Sequence, residues 1–108
     1  CQHPQGWWVR DAPWISRLFQ DTAFTQKAIT QWEQVRPALN NLPDLIDNTA
    51  LYLSLSQKQN FAVWPILNQY VWPNPQINGS FNGEMSFLKS WLQQRINWID
   101  TNIQTLQN

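Results

Sequence analysis

Cysteine, histidine and glycine are scarce in this chain, and neither sign of charge is in excess: one Cys, one His, three Gly, seven acidic and seven basic residues among 108. A single cysteine rules out a disulfide framework within the chain. One histidine without a Cys/His cluster matches none of the usual zinc patterns, and His3 reads as an exposed residue near the start of the chain. Gly6, Gly79 and Gly83 are too scattered for a phosphate-cradling loop. None of the standard protein-kinase sequence strings occurs. Balanced charge argues against a nucleic-acid partner, which calls for a basic face, and against an electrostatic membrane anchor. No apolar run approaches the roughly 20 residues needed to span a bilayer, and no secretory-leader pattern is present. Cys1 reads as the edge of a fragment, with a lipid-modified N-terminal cysteine as the alternative reading.

What the chain has instead is tryptophan: eight residues. Trp14, Trp32, Trp91 and Trp98 fall in stretches of helical spacing, and Trp7, Trp8, Trp64 and Trp72 in the irregular stretches beside them. Each buried aromatic ring removes roughly 150–250 Å² from water, so these rings are candidate core builders. Charged residues are few while Gln and Asn abound, an amide-rich surface that suits a secreted or envelope protein.

The chain length suits one domain or a piece of one, with a modest core. Asp11 followed by Pro13 signals a helix start, and Trp14, Ile15, Leu18 and Phe19 give a short helix an apolar stripe ending near Gln20. Asp21 or Thr22 caps a second helix whose predicted inner face is Phe24, Ala28, Trp32, Val35 and Leu39. Pro37 should kink or end it. Pro43 and Asp44 open a third helix running to about Gln59, with Leu45, Ile46, Ala50 and Leu53, and Leu42 beside them, facing inward. Trp64-Pro65 ends it. Residues 65–83 form a long irregular stretch, apolar enough to pack down on the helices. Two Asn-Gly pairs within it, Asn78-Gly79 and Asn82-Gly83, favour turns. A last helix begins at Ser80 or Asn82, with Glu84 in its first turn. Met85, Leu88, Leu92, Ile96, Ile99 and Ile103 recur at steps of three and four, and Trp91 and Trp98 widen that stripe. Residues from Gln104 to Asn108 should fray. The expected fold is all-α: a small bundle of about four helices, with a long packed loop before the last.

No catalytic constellation is visible. Asp11, Asp21 and Asp44 are explained by helix starts, and nothing pairs Asp47, Glu33 or Asp100 in a cleft. Arg36 and Arg95 each follow a tryptophan by four residues, Trp32 and Trp91, a spacing that permits guanidinium–indole stacking. They are candidate structural arginines, paired with Asp47 or Glu33; an anion contact is the functional alternative. Trp7, Trp8, Trp14 and Trp72 are the candidate interaction surface. Their alternative role is to cover helix ends.

The order of these features resembles the C-terminal helical region of the spore coat protein H (CotH) family of atypical kinases. The likeness runs from Gly6-Trp7-Trp8 and Pro13-Trp14-Ile15-Ser16-Arg17-Leu18-Phe19-Gln20-Asp21 through Phe24 and Gln31-Trp32-Glu33-Gln34-Val35-Arg36. It continues through Gln59-Asn60-Phe61-Ala62-Val63-Trp64-Pro65, Tyr70-Val71-Trp72-Pro73, Glu84 and Leu88-Lys89-Ser90-Trp91-Leu92 to Arg95-Ile96-Asn97-Trp98-Ile99-Asp100. It covers nearly the whole chain. Gln31 departs from the pattern, since the family often places arginine before that tryptophan. The resemblance implies that residues 1–108 are one helical domain, the C-terminal part of a larger kinase. In such a parent, ATP and a divalent metal would serve Ser/Thr phosphorylation of extracytoplasmic or coat proteins. The nucleotide-binding lysine and metal-binding aspartates of the family lie upstream of the matched region. No catalytic, cofactor or metal residue is therefore carried over, and the implied partner is the upstream kinase portion. A free-standing module that binds a protein or glycan through exposed tryptophans is the alternative.

Overall fold

The computed structural model describes residues 3–107. The fold is all-α, with no strand among the described residues. The helices are α1 (Pro13–Leu18), α2 (Thr22–Val35), α3 (Leu42–Tyr52), α4 (Ser54–Val63) and α5 (Phe81–Asn102), with 3₁₀ segments at Arg36–Asn41 and Ile103–Gln107. The expected third helix is broken at Leu53, so α3 and α4 stand where one was predicted. No helix of the described residues is long and apolar enough to cross a membrane. The chain forms two compact units, residues 3–40 with 92–107, and residues 41–91, so α5 begins in the second and ends in the first.

In the first unit, helix starts follow local chemistry. Asp21 caps α2, its Oδ1 accepting from the Ala23 N–H at 2.7 Å and the Phe24 N–H at 3.4 Å, which satisfies donors that the first helical turn leaves free. The cap expected at Asp11 is absent. Ala12 holds that position without a side-chain bond, and α1 starts on Pro13, whose fixed φ suits the first turn. Helix α2 stops at Val35, two residues before Pro37, and the backbone tightens into a 3₁₀ segment.

The core of this unit is Ile29, Ile103 and Leu106, with Trp7, Phe19, Ala28, Trp32 and Ile99 packed on it and Ile96 also buried. Ile29 is 1% exposed. The buried face of α2 is thus rotated from the predicted one: Thr25 and Ile29 sit deepest and Val35 is exposed. Thr25 can occupy the core because its Oγ1 donates back to the Asp21 and Phe19 carbonyls, so no polar group is stranded. The tail is corrected as well. Residues 103–107 hold a 3₁₀ turn and Leu106 is buried on Ile29 instead of fraying. Asn108 lies outside the described residues.

The second unit has no buried side chain. Leu42, Ile46, Ala50, Ser54, Gln57 and Phe61 form a half-buried stripe that passes through the break at Leu53, while Leu45, expected inside, is exposed. Phe61 meets Phe81 with ring centroids 6.4 Å apart, and Lys89 Nζ donates to Asp47 Oδ1 at 2.6 Å, tying α5 to α3. Ser80 caps α5: its Oγ accepts from the Gly83 N–H at 2.9 Å. Asn82-Gly83 is therefore helix, not turn. Gly83 is required for another reason, since a Cβ there would run into the Asn78 carbonyl. Asn78-Gly79 does turn, with Gly79 at φ +76°. The stretch before α5 is laid down through half-buried Leu67, whereas Trp64, Tyr70, Trp72 and Ile77 face solvent.

Candidate functional site

Trp7, Trp8, Trp14 and Trp72 do not share one environment. Trp7 is half-buried, its ring edge-on to Trp98 at 4.7 Å and 70°, and it packs on the core. Sequence reasoning named it for a candidate interaction surface, with covering a helix end as the alternative; in the structure it is packed, partly buried, against the core of the first unit. Trp8 is half exposed at 47%, and Trp14, on α1, is 87% exposed with Leu18 beside it in the helix also in solvent. In the six-residue helix α1 Trp14 and Leu18 face solvent and Ile15 is half-buried, while Phe19, just after the helix, packs on the core. Trp72, 80% exposed, belongs to the second unit.

The two candidate structural arginines both bond within the chain, to partners other than those expected. Arg36 Nε donates to Asp100 Oδ2 at 2.7 Å and its Nη1 to Asn40 Oδ1 at 2.7 Å. Trp32 Nε1 donates to Asp100 Oδ1 at 2.9 Å. Asp100 thus accepts from both residues of the predicted Trp32–Arg36 pair, joining the end of α2 to the end of α5. Asp47 is engaged instead by Lys89. Each oxygen of Asp100 thus accepts a bond from within the chain.

Among the described residues Arg95 has no carboxylate hydrogen-bond partner. Its Nη1 donates to the Pro4 carbonyl at 3.0 Å and the Gly6 carbonyl at 2.7 Å. The guanidinium lies 5.2 Å from the ring centroid of Trp98, three residues on. Burial lowers its pKa from the ordinary arginine value, because desolvation disfavours the charged form. Arg95 and Trp98 together clamp the segment around Pro4 and Gly6 onto α5. Gly6 sits at φ +95°, a conformation other residues resist. Sequence offered no signal for this clamp, since its acceptors are main-chain carbonyls nearly the whole chain length away.

Two concave surfaces lie within the second unit. One, of about 350 Å³, runs between α3 and α5 and is lined almost wholly by apolar atoms of Leu45, Ile46, Ala50, Leu53, Met85 and Leu88, with Thr49 and Phe81 at its edges. The other, of about 370 Å³, is mixed, with Phe61, Leu67 and Phe81 beside the amides of Gln57, Asn68 and Asn82. Neither contains a charged side chain. No group of three or more His, Cys, Asp or Glu among the described residues could hold a metal ion. Cys1 lies outside the described residues.

Comparison with known protein families, with curated proteins and with solved structures found no match to this chain.

Proposed function

We propose that this chain is a helical support subdomain of a CotH-like atypical protein kinase, non-catalytic by itself, that docks onto the upstream portion of the same protein. The observation that carries the reading is the exposure of Trp8, Trp14 and Leu18 beside a well-built core. Large apolar side chains left in water are the raw material of an interface. A support element with its partner removed would leave such a face bare. The ordered likeness of residues 6–100 to the family supplies the identity of that partner. ATP, a divalent metal and phosphorylation of Ser or Thr in extracytoplasmic or coat proteins belong to the parent in this reading, and the compartment is the envelope or the outside of the cell.

The test compares the chain alone with the chain joined to its upstream portion. Acrylamide should quench Trp14 strongly in the first and weakly in the second, with Trp14→Phe identifying the signal. Equal quenching in both would remove the docking face. Magnesium-ATP should leave the melting temperature of the isolated chain unchanged, and a rise of several degrees would show that the site resides here.

One observation favours a second reading, a free-standing module for a glycan or protein. Trp72 is exposed on a loop rich in amides, the combination that stacks on and hydrogen-bonds to a sugar ring. Trp72 emission that shifts on addition of an oligosaccharide panel, while Trp72→Ala keeps its fold and loses the response, would favour it over the first.

A further inference from the structure

We infer that Asn78 is a site of spontaneous main-chain modification, converting through a cyclic imide to aspartate and isoaspartate, and that the fold protects the chemically identical pair Asn82-Gly83. The chain holds two Asn-Gly steps four residues apart, so each serves as control for the other. Glycine after asparagine leaves the attacking peptide nitrogen unshielded by a side chain. What then decides reactivity is whether that nitrogen is free to move and whether the asparagine carbonyl is activated.

At Asn78 both conditions are met. The Gly79 N–H has no hydrogen-bond partner among the described residues, and Gly79 lies exposed in a turn at φ +76°. Gln76 Nε2 donates to Asn78 Oδ1 at 2.5 Å. A donor on that oxygen draws electron density from Cγ and stabilises the negative charge that develops as the nitrogen attacks, the same physics by which an oxyanion hole works. At Asn82 neither holds. The Gly83 N–H is held by Ser80 Oγ at 2.9 Å within the first turn of α5, and no donor to Asn82 Oδ1 is present among the described residues.

The chemistry needs only water. Hydroxide removes the Gly79 amide proton, and the nitrogen lone pair attacks Asn78 Cγ. The Cγ–Nδ2 bond breaks, and the leaving nitrogen takes a proton from water and departs as ammonia. Water then adds to one of the two imide carbonyls and the ring opens. Cleavage on the side-chain side gives aspartate; cleavage on the main-chain side routes the peptide through the side chain as isoaspartate. Nothing is oxidised or reduced. The Asn78 carbonyl packs directly against Gly83, so the added methylene of isoaspartate falls where α5 begins and should loosen its first turn.

The experiment incubates the intact chain at mildly alkaline pH and follows both sites by peptide mapping that separates aspartate from isoaspartate. Conversion at Asn78 should outrun that at Asn82 by at least about fivefold, the factor that one hydrogen bond of ordinary net strength is worth. In concentrated urea the two rates should converge, because only the fold distinguishes them. Gln76→Ala should slow Asn78 and leave Asn82 unchanged. Equal native rates, a faster Asn82, or a rate difference that persists in urea would each overturn the assignment. An unchanged rate at Asn78 in Gln76→Ala would overturn the activating role of Gln76.

Discussion

Residues 3–40 with 92–107 enclose Ile29, Ile96, Ile103 and Leu106, whereas residues 41–91 enclose no side chain fully, although both are rich in large apolar residues. The difference is one of arrangement. The first unit closes its helices from several directions: a tail turn, Trp7 and Phe19 all pack against residues of α2 and the end of α5. In the second, α3 and α4 present one half-buried stripe and turn Leu51, Tyr52, Leu55 and Val63 outward. An apolar residue stabilises only to the extent that it leaves water. The two units should therefore differ in local stability, with hydrogen exchange as the direct reading.

The sharpest way to break that contrast is a pair of truncations. Ile29→Ala should cost about 3 kcal/mol, as removal of a buried aliphatic side chain does. Leu51→Ala, on an exposed face, should stay within about 0.5 kcal/mol. Urea unfolding of both variants decides it. Similar midpoints would mean that the second unit is covered in solution and the contrast fails.

Arg95→Ala comes next. It removes two charge-assisted bonds to carbonyls and a cation–π contact, a loss of about 2 kcal/mol, or on the order of 10 °C in melting temperature for a chain of this size. Arg95→Lys should recover only part, since an ammonium lacks the planar fork that stacks on Trp98. An unchanged melting temperature for Arg95→Ala would return Arg95 to the role of a free anion contact.

Much of this was legible in the sequence, and the failures share a cause. The all-α class, the cap at Asp21, the stop before Pro37 and the apolar period of α5 are local properties, encoded within a few residues. Ile29 was missed because the reading followed the aromatic spacing Phe24–Ala28–Trp32, and a helix face one position away satisfied the geometry better. Asp100 was not seen as the partner of Arg36 and Trp32 because the bond spans 64 residues. The Arg95 clamp uses carbonyls, which every residue carries and no sequence marks. Leu106 was expected to fray because chain ends do so by default, and its burial with Ile29 and Ile103 reverses that default. The exposed surfaces were least legible of all. Trp14 lies in a stretch of helical spacing and Trp7 in an irregular one, yet it is Trp7 that packs edge-on against Trp98 and Trp14 that stands in solvent.

The Asp100 network offers a smaller effect within the first unit. Its side chains remain partly exposed to water, and ion pairs so placed contribute about 0–1 kcal/mol. Asp100→Asn should cost about 1 kcal/mol, because two donors then share a weaker acceptor. A double-mutant cycle of Asp100→Asn with Arg36→Ala should show coupling, which independent surface residues lack. Additive losses would reduce the network to a coincidence of packing.

The smallest effect distinguishes the units most directly, because it places one kind of interaction in each. Asp21 and Ser80 are both helix caps, worth about 1 kcal/mol apiece when truncated to alanine. Asp21→Ala acts on α2, whose far side carries Ile29, so the first turn cannot open without disturbing the buried core, and the loss should appear in the global midpoint. Ser80→Ala acts where α5 rests on half-buried residues alone. Its first turn can open by itself, so the midpoint should barely move while the Gly83 amide exchanges faster. If Ser80→Ala lowered the midpoint as much as Asp21→Ala, the start of α5 would be coupled to the core as tightly as α2 is. The absence of buried side chains in residues 41–91 would then no longer imply independent opening.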